Sequence, residues 1–317
     1  MTAYIARRLL GSIPTLVLIS MVVFGILALA PGDPLGQLAT NPDVPPEVRL
    51  NILHQLGLDE PIPIRYMKWA AAFARGTWGY SFGSHMEASH LIMQRLPTDL
   101  WVIGTQYLVA VLIAVPIGVL SAVKQYSLFD QVATTFAFIG FSLPTFFTGV
   151  LLIIIFSVKL HLLPFIYNVQ ITLWNDPVGM IKQVIMPIAV LALFNAAGLM
   201  RFVRSSMLDN VSQDYVRTAR AKGVREGLVI VRHVLRNSLI PVVTLIALGL
   251  PAVFVGAIVT EQIFRLPGIG SLLIASIQNS DTPVIMAIVF LYAILVVFFN
   301  LVADVIYGLL DPRIKYG

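Results

Sequence analysis

Residues 209–241 read DNVSQDYVRTARAKGVREGLVIVRHVLRNSLIP and lie between two long apolar runs. Nine of them are charged (Asp209, Asp214, Arg217, Arg220, Lys222, Arg225, Glu226, Arg232 and Arg236), in a chain whose charged fraction is only 12%. Charged side chains are expensive in hydrocarbon, so this stretch belongs at an aqueous face, with membrane helices before and after it.

Working outward, the 317-residue chain is 58% hydrophobic, with a mean hydropathy of +0.87. That composition lies outside the range of soluble domains. Charge-free runs long enough to cross a bilayer occur six times: Leu9–Gly32, Leu100–Val123, Gln131–Val158, Gln183–Met200, Asn237–Thr260 and Thr282–Ala303. Unsatisfied backbone groups are costly in lipid, so each run is expected to be a transmembrane helix and the protein an all-α integral membrane protein. The fourth run is the shortest and is expected to extend through Lys182 or Arg201. The first is not followed by a small-residue cleavage site, which favours a retained helix over a signal peptide.

The chain has no cysteine, which excludes disulfides and thiolate metal sites. Its net charge of +5 is better explained by the positive-inside rule than by nucleic acid. Arg7, Arg8, Lys124, the basic set at 201–236, Arg313 and Lys315 fall on one side, which makes that side and both termini cytoplasmic. Basic residues on the other side lie mostly in the long 33–97 loop, where the rule is weak.

That external segment, Asp33–Thr98, begins with the turn sequence PGDP. It continues through an amphipathic stretch at Pro46–Gly57 to PIPIRY and RGTWGYSFG. It reads equally as a small subdomain that meets a delivering protein or caps a pore, and as a folded loop on the helix ends with Trp69, Trp78 and Tyr80 as interfacial anchors. The short Lys124–Asp130 loop makes the second and third spans antiparallel neighbours. Pro14, Pro116, Pro144, Pro187, Pro241 and Pro251 are candidate kink positions. A short re-entrant helix is expected at Ser271–Ile277, entered through the Pro-Gly turn at 267–268.

Two common catalytic signatures are absent: there is no phosphate-binding GxxxxGK[ST] and no HExxH. His85 and His90 are five apart, which does not pair them on one helical face. Inside the charged stretch, the Asp214–Arg217 spacing supports a helix, and Tyr215, Ala219 and Gly223 recur at intervals of four, as on one stripe. Small residues on a stripe let another surface approach closely. Gly223 is a poor interior helix residue and is expected to end a first short helix, with a second running from about Glu226 into the fifth span. A basic helix lying on anionic lipid would account for the charge, but not for the stripe, Asp214 or Glu226. Asn300 and Asp304 are four apart at the inner end of the sixth span; Asp304 is expected to partner Arg201 or Arg204, or to make a structural interhelix bond. Glu261 and Arg265 flank an external turn, either lining an outer gate or pairing with each other.

DYVRTARAKG (214–223) followed by RHVLRNSLIPVVT (232–244) resembles the cytoplasmic coupling motif of ABC-importer permeases of the dipeptide/oligopeptide/nickel branch. The resemblance extends to RRLLGSIPTL, APGDP, LGLDEPIPIRYMKW, RGTWGYSF, FSLPTFFTGVLL, RFVRSSMLD, EQIFRLPGIGSLL and NLVADVIYGLLDPRIKYG, which together span nearly the whole chain. It is similar to the first of the two permeases of such systems. The resemblance implies a type I ABC-importer permease fold of six transmembrane helices, with an external subdomain after the first and coupling helices at about 209–238. Residues 1–97 would form the first helix and external segment, 98–311 the transmembrane domain, and 312–317 a cytoplasmic tail. It also implies that Asp214, Tyr215, Arg217, Thr218, Ala219, Ala221, Lys222 and Gly223 dock into an ATPase groove. Ala219 and Gly223 match the alanine and glycine of the general motif EAAxxxG. Arg217 and Thr218 replace its acid and first alanine, and Pro241 falls five positions late, departures that mark the peptide branch. The implied partners are a second homologous permease, two ATP-binding subunits holding ATP and Mg, an extracytoplasmic binding protein and the lipid bilayer, with no nucleic acid and no cofactor on this chain. Peptides are the expected cargo, with nickel chelates or glutathione as alternatives. A gradient-driven secondary transporter or a non-transporting scaffold remains a different class.

Overall fold

The computed structural model describes residues 2–29, 54, 57–254 and 257–310. The PGDP turn, nearly all of the amphipathic stretch at 46–57 and the tail at 312–317 lie outside the described residues. Most of the described residues are helical. Among the described residues, five unbroken helices are long and apolar enough to cross a membrane, at Leu10–Leu29, Ala88–Val123, Pro177–Val211, Glu226–Phe254 and Thr282–Ile306.

Helix α1 (Thr2–Leu29) is followed by α2 (Ile62–Ala74). Helix α3 (Ala88–Asp99) runs through a π-helical segment, Leu100–Gly104, into α4 (Thr105–Val123). The second span therefore begins a dozen residues before the expected Leu100. Next come α5 (Leu128–Ser142) and α6 (Thr145–Leu152), the latter prolonged by π-helical Ile153–Lys159. Helix α7 (Pro177–Val211) has 35 residues and so extends the shortest charge-free run through both Lys182 and Arg201, as expected. Asp176 starts it by accepting from the Gly179 N–H at 2.8 Å, with Pro177 supplying a preset first turn. Helix α8 (Asp214–Ala221) precedes a helical turn, Glu226–Leu228, that continues through π-helical Val229–Leu235 into α9 (Arg236–Gly249). The chain closes with α10 (Ile258–Phe264), α11 (Ile269–Gln278) and α12 (Thr282–Leu310).

The third expected span, Gln131–Val158, is not one straight helix: α5 and the α6 segment meet at 98°. Pro144 has no N–H to donate and forces Leu143 into extended backbone (φ −81°, ψ 123°), which ends α5. The expected run Asn237–Thr260 likewise stops at a 3₁₀ turn, Leu250–Phe254, containing Pro251. Its last residues belong to α10, which meets α11 at 91°. The re-entrant helix expected at Ser271–Ile277 is α11, longer by two residues at its start and one at its end.

Helices α4 and α7 form the centre of the bundle. Ala110, Ala114, Gly118 and Ala122 recur every four residues on α4 and are buried, as is Ser121. Opposite them, α7 presents Ala192, Ala196, Ala197 and Met200. Small residues let two helices approach closely where lipid supplies no hydrophobic drive. At Gly118 the approach is extreme: an added Cβ would lie 2.8 Å from both the Met200 carbonyl oxygen and the Val203 Cβ. Gly118→Ala is accordingly expected to destabilise the protein by about 1–3 kcal/mol, read as a lower thermal midpoint in detergent. An unchanged midpoint would contradict this packing.

In the segment between α2 and α3, Ser81 Oγ donates to Asp281 Oδ2 at 2.5 Å and the Phe82 N–H to Asp281 Oδ1 at 3.1 Å, tying that segment to the α11–α12 turn. Trp69 lies 5.5 Å from Phe73, which stacks on Trp78 at 5.2 Å, and both Trp69 and Phe73 abut Phe290 of α12. Trp69 and Trp78 thus hold α2 and the turn after it against the bundle, while Tyr80 remains exposed.

Candidate functional site

Asp214 opens α8 with an acid in the first turn, complementary to the helix dipole. The helix ends in a Schellman arrangement. The Gly223 N–H donates to the Arg220 carbonyl at 2.9 Å and the Val224 N–H to the Ala219 carbonyl at 3.3 Å, with Gly223 left-handed at φ +76°. Gly223 ends the first short helix, as expected. Beyond it, Arg220 donates to Glu226 at 2.6 and 3.1 Å, clamping the end of α8 to the next helical turn. That carboxylate pushes the Arg220 guanidinium further above its usual range.

Rotation of α8 is set by Val216 and Ala219, at 0% and 7% exposure, which pack on Val203, Met207, Val229, Val234 and Val242. The expected stripe Tyr215–Ala219–Gly223 is therefore not the outward one. Ala219 faces the chain's own core, because the i, i+3 apolar pair must be buried, and Gly223 lies past the helix end. Tyr215 is exposed at its edge and donates its hydroxyl to Asn210 Oδ1 at 2.8 Å. The outward surface consists of Asp214, Arg217, Thr218, Ala221, Lys222 and Gly223. Arg217 and Asp214 approach to 3.6 Å but are 72% and 96% exposed, so their pairing adds little. What α8 presents is a short, rigid, mixed-charge ridge ending in a residue without a side chain.

Residues 114–316 match the family described as "Binding-protein-dependent transport system inner membrane component". Residues 1–102 match its N-terminal companion, "Binding-prot-dependent transport system membrane comp, N-term". The chain belongs to this family. It is 41% identical over 321 residues to the oligopeptide transport system permease protein AppB of Bacillus subtilis (strain 168), with 100% of both chains covered. It is 39% identical over 316 residues to the glutathione transport system permease protein GsiC of Salmonella choleraesuis (strain SC-B67), again with 100% of both covered. A solved structure, an amino acid ABC transporter with histidines, superposes at TM-score 0.49 with 13% identity, covering 68% of this chain and 92% of that one.

By its family, the permease is a multi-pass membrane protein with the type I ABC-importer permease fold. Its other charged candidates pair differently from expectation. Arg204 donates to both oxygens of Asp130, at 2.7 and 2.8 Å. Asp130 also accepts from Ser121, from Thr134 at 3.2 Å and from the Tyr126 N–H at 2.9 Å. Asp304 is therefore not the partner of Arg204 or Arg201; its Oδ2 lies 2.8 Å from Arg8 Nη2 of α1, which packs along α12. Asn300 is half-buried one turn earlier. Arg201 stacks its guanidinium on Phe138 and Phe141, at 5.1 and 4.5 Å from the ring centroids.

Glu261 does not pair with Arg265. Arg265 caps α10 in the left-handed region (φ 53°) and is exposed. Glu261 is buried and accepts the Ser271 N–H at 2.6 Å and the Ala257 N–H at 2.7 Å. Asp99, also buried, accepts the Ile269 N–H at 2.7 Å, so two carboxylates occupy the positive start of α11. A Cβ at Gly268 would touch both.

The sequence reading overlooked Asp130, Asp99 and Arg8 as partners. Asp130 carried a signal, since Ser127 and Asp130 form the S-x-x-D start of a helix and place an acid at the membrane edge. Asp99 and Arg8 carried none, because their partners lie 170 residues or more away.

Proposed function

We propose that this permease is the membrane-spanning subunit of an ATP-driven importer of peptides delivered by an extracytoplasmic binding protein. It pairs with a second, homologous permease, and two ATPase subunits holding ATP and Mg bind the cytoplasmic face. ATP hydrolysis belongs to those subunits, and this chain catalyses no reaction. Full-length similarity to an oligopeptide permease carries the reading, and the rigid exposed ridge of α8 supports it. The first helix and the external segment precede Ala88, where the second span begins, and the transmembrane domain runs from there to residue 311. ATP binding draws the ATPases together, α8 moves with them, and the helices rock between inward- and outward-open states, driven by contacts that differ between the two.

Glutathione, itself a small peptide, is the favoured second cargo, on the similarity to GsiC. A gradient-driven mechanism would use an ion-coupling acid in mid-membrane. Of the buried acids, Asp130, Glu261 and Asp281 instead lie at helix ends or in turns, and Asp99, inside the second span, is held by the Ile269 N–H; all four are engaged by N–H, hydroxyl or guanidinium donors.

Proteoliposomes carrying the whole complex test this. With binding protein outside and ATP inside, labelled peptide is expected to accumulate; accumulation driven by an ion gradient without ATP would contradict it. Orientation is checked on the cysteine-free chain. In intact cells a single cysteine at Ser84 is expected to react with an impermeant maleimide and one at Ser212 to resist it. The reverse pattern would place both termini outside.

A further inference from the structure

Among the described residues, Arg201 makes no ion pair and no hydrogen bond, and its Nε is buried without a partner. It sits on α7 one turn deeper than Arg204, whose guanidinium is held by Asp130. Stacking on Phe138 and Phe141 uses the faces of the guanidinium and leaves its in-plane N–H edge unspent. A cation at this depth without an anion is incomplete.

A cavity of about 280 Å3 opens next to Phe141, the ring on which Arg201 stacks, and is lined in part by Tyr107, Phe141, Phe194, Asn195, Gly198 and Leu245. Phe141 belongs to both features: it underlies Arg201 and stacks on Phe194 at 5.6 Å. Asn195, Gly198 and Arg201 follow one another at intervals of three, on one side of α7. Gly198 has no atom within 4 Å of where its Cβ would stand, so that side is open. The cavity wall is firm. Asn195 donates to the buried Gln106 at 3.0 Å, and the Tyr107 hydroxyl donates to the Ile246 carbonyl of α9 at 2.6 Å.

We infer that Arg201 receives a carboxylate, that of the peptide passing through this cavity, at its cytoplasmic end. The inference rests on the proposed function and names the residue that reads the cargo's C-terminus inside the membrane. A planar guanidinium edge suits a carboxylate fork, which no neutral amide reproduces. At about 280 Å3 the cavity is at the lower limit of ligand-sized pockets, about 300–1,000 Å3. It therefore takes the end of a peptide rather than a whole one, with the aromatic pair against its last side chain. The same carboxylate could come from the second permease, and the test separates the two sources.

The test is ATP-driven uptake by the complete complex in proteoliposomes of one tripeptide as its free acid and as its C-terminal amide, with wild-type, Arg201→Met and Arg201→Lys permeases. Any preference of the binding protein is common to all three, so the acid-to-amide ratio reports on Arg201. Wild type is expected to favour the acid. Arg201→Met is expected to slow the acid by about tenfold, as for loss of a charged hydrogen-bonded pair, and to leave the amide unchanged; Arg201→Lys keeps part of the preference. Equal losses for acid and amide, or no loss, would overturn the inference. So would failure of the Arg201→Met complex to assemble with rescue by Arg201→Lys, which assigns the carboxylate to the second permease. Absence of ATP-driven uptake by wild type is a separate outcome and removes the proposed function itself.

Discussion

Replacing Gly223 with arginine is expected to reduce ATP-driven uptake to background while folded permease still reaches the membrane. Gly223 is left-handed at φ +76°, and no atom lies within 4 Å of an added Cβ. A side chain there meets no obstacle within this chain and costs only left-handed strain, about 1–2 kcal/mol. What it disturbs is outside the chain. Gly223 closes the exposed ridge of α8, and a long cation at that point holds a docked surface away. Loss of a central contact of this kind costs about 2 kcal/mol or more, roughly thirtyfold in affinity. Gly223→Asn separates the two effects, because asparagine tolerates the left-handed region and is short; it is expected to retain most of the uptake. Membrane abundance, co-purification of the ATPase and uptake are to be measured together. Normal uptake by Gly223→Arg would remove α8 as the coupling element.

The second large effect is on stability. Arg204→Ala leaves Asp130 as a buried carboxylate, its side chain 4% exposed, without the guanidinium that now donates to both its oxygens. Breaking such a pair from one side costs about 3–5 kcal/mol, since the remaining charge stays desolvated. The pair joins the start of α5 to α7, and Ser121 of α4 donates to the same carboxylate, so three helices loosen together. The double variant Asp130→Asn, Arg204→Met removes both charges and is expected to be milder than Arg204→Ala alone. Thermal unfolding of the purified complex checks the order. A double variant as unstable as the sum of the singles would show that the charges do not act as a pair.

How much of this was legible in the sequence depended on range. The charge-free runs place helices because backbone satisfaction in lipid is a local requirement. Gly223 ends α8, and Pro267–Gly268 opens α11, because each acts on its own turn. Pro144 was visible too, but whether a proline kinks a helix or breaks it depends on neighbours. Here extended backbone at Leu143 turns the chain by 98°. The inward rotation of α8 could be anticipated only in part. Spacing puts Ala219 near Tyr215 as readily as near Val216, and the core built by Val203, Val229, Val234 and Val242 decides between them. Ion pairs were the least legible. Charges in 201–304 suggested Asp304 as the acid for Arg201 or Arg204. In the fold Asp304 faces Arg8, Arg204 faces Asp130, and Arg201 is left to two phenylalanines. Such pairings are set by which helices adjoin, which no local pattern encodes.

The claim that the outward ridge of α8 is the contact with the ATPase is tested most directly by site-specific photocrosslinking. The native chain has no cysteine, so single cysteines at Thr218, Ala221 and, as the opposite-face control, Ser84 can each carry a thiol-linked benzophenone in the assembled complex. Light-dependent adducts with the ATPase subunit are predicted from Thr218→Cys and Ala221→Cys, none from Ser84→Cys, and loss of the first two when Gly223→Arg is added. Adducts only with lipid at Thr218 and Ala221, in a complex that still contains the ATPase, would contradict it.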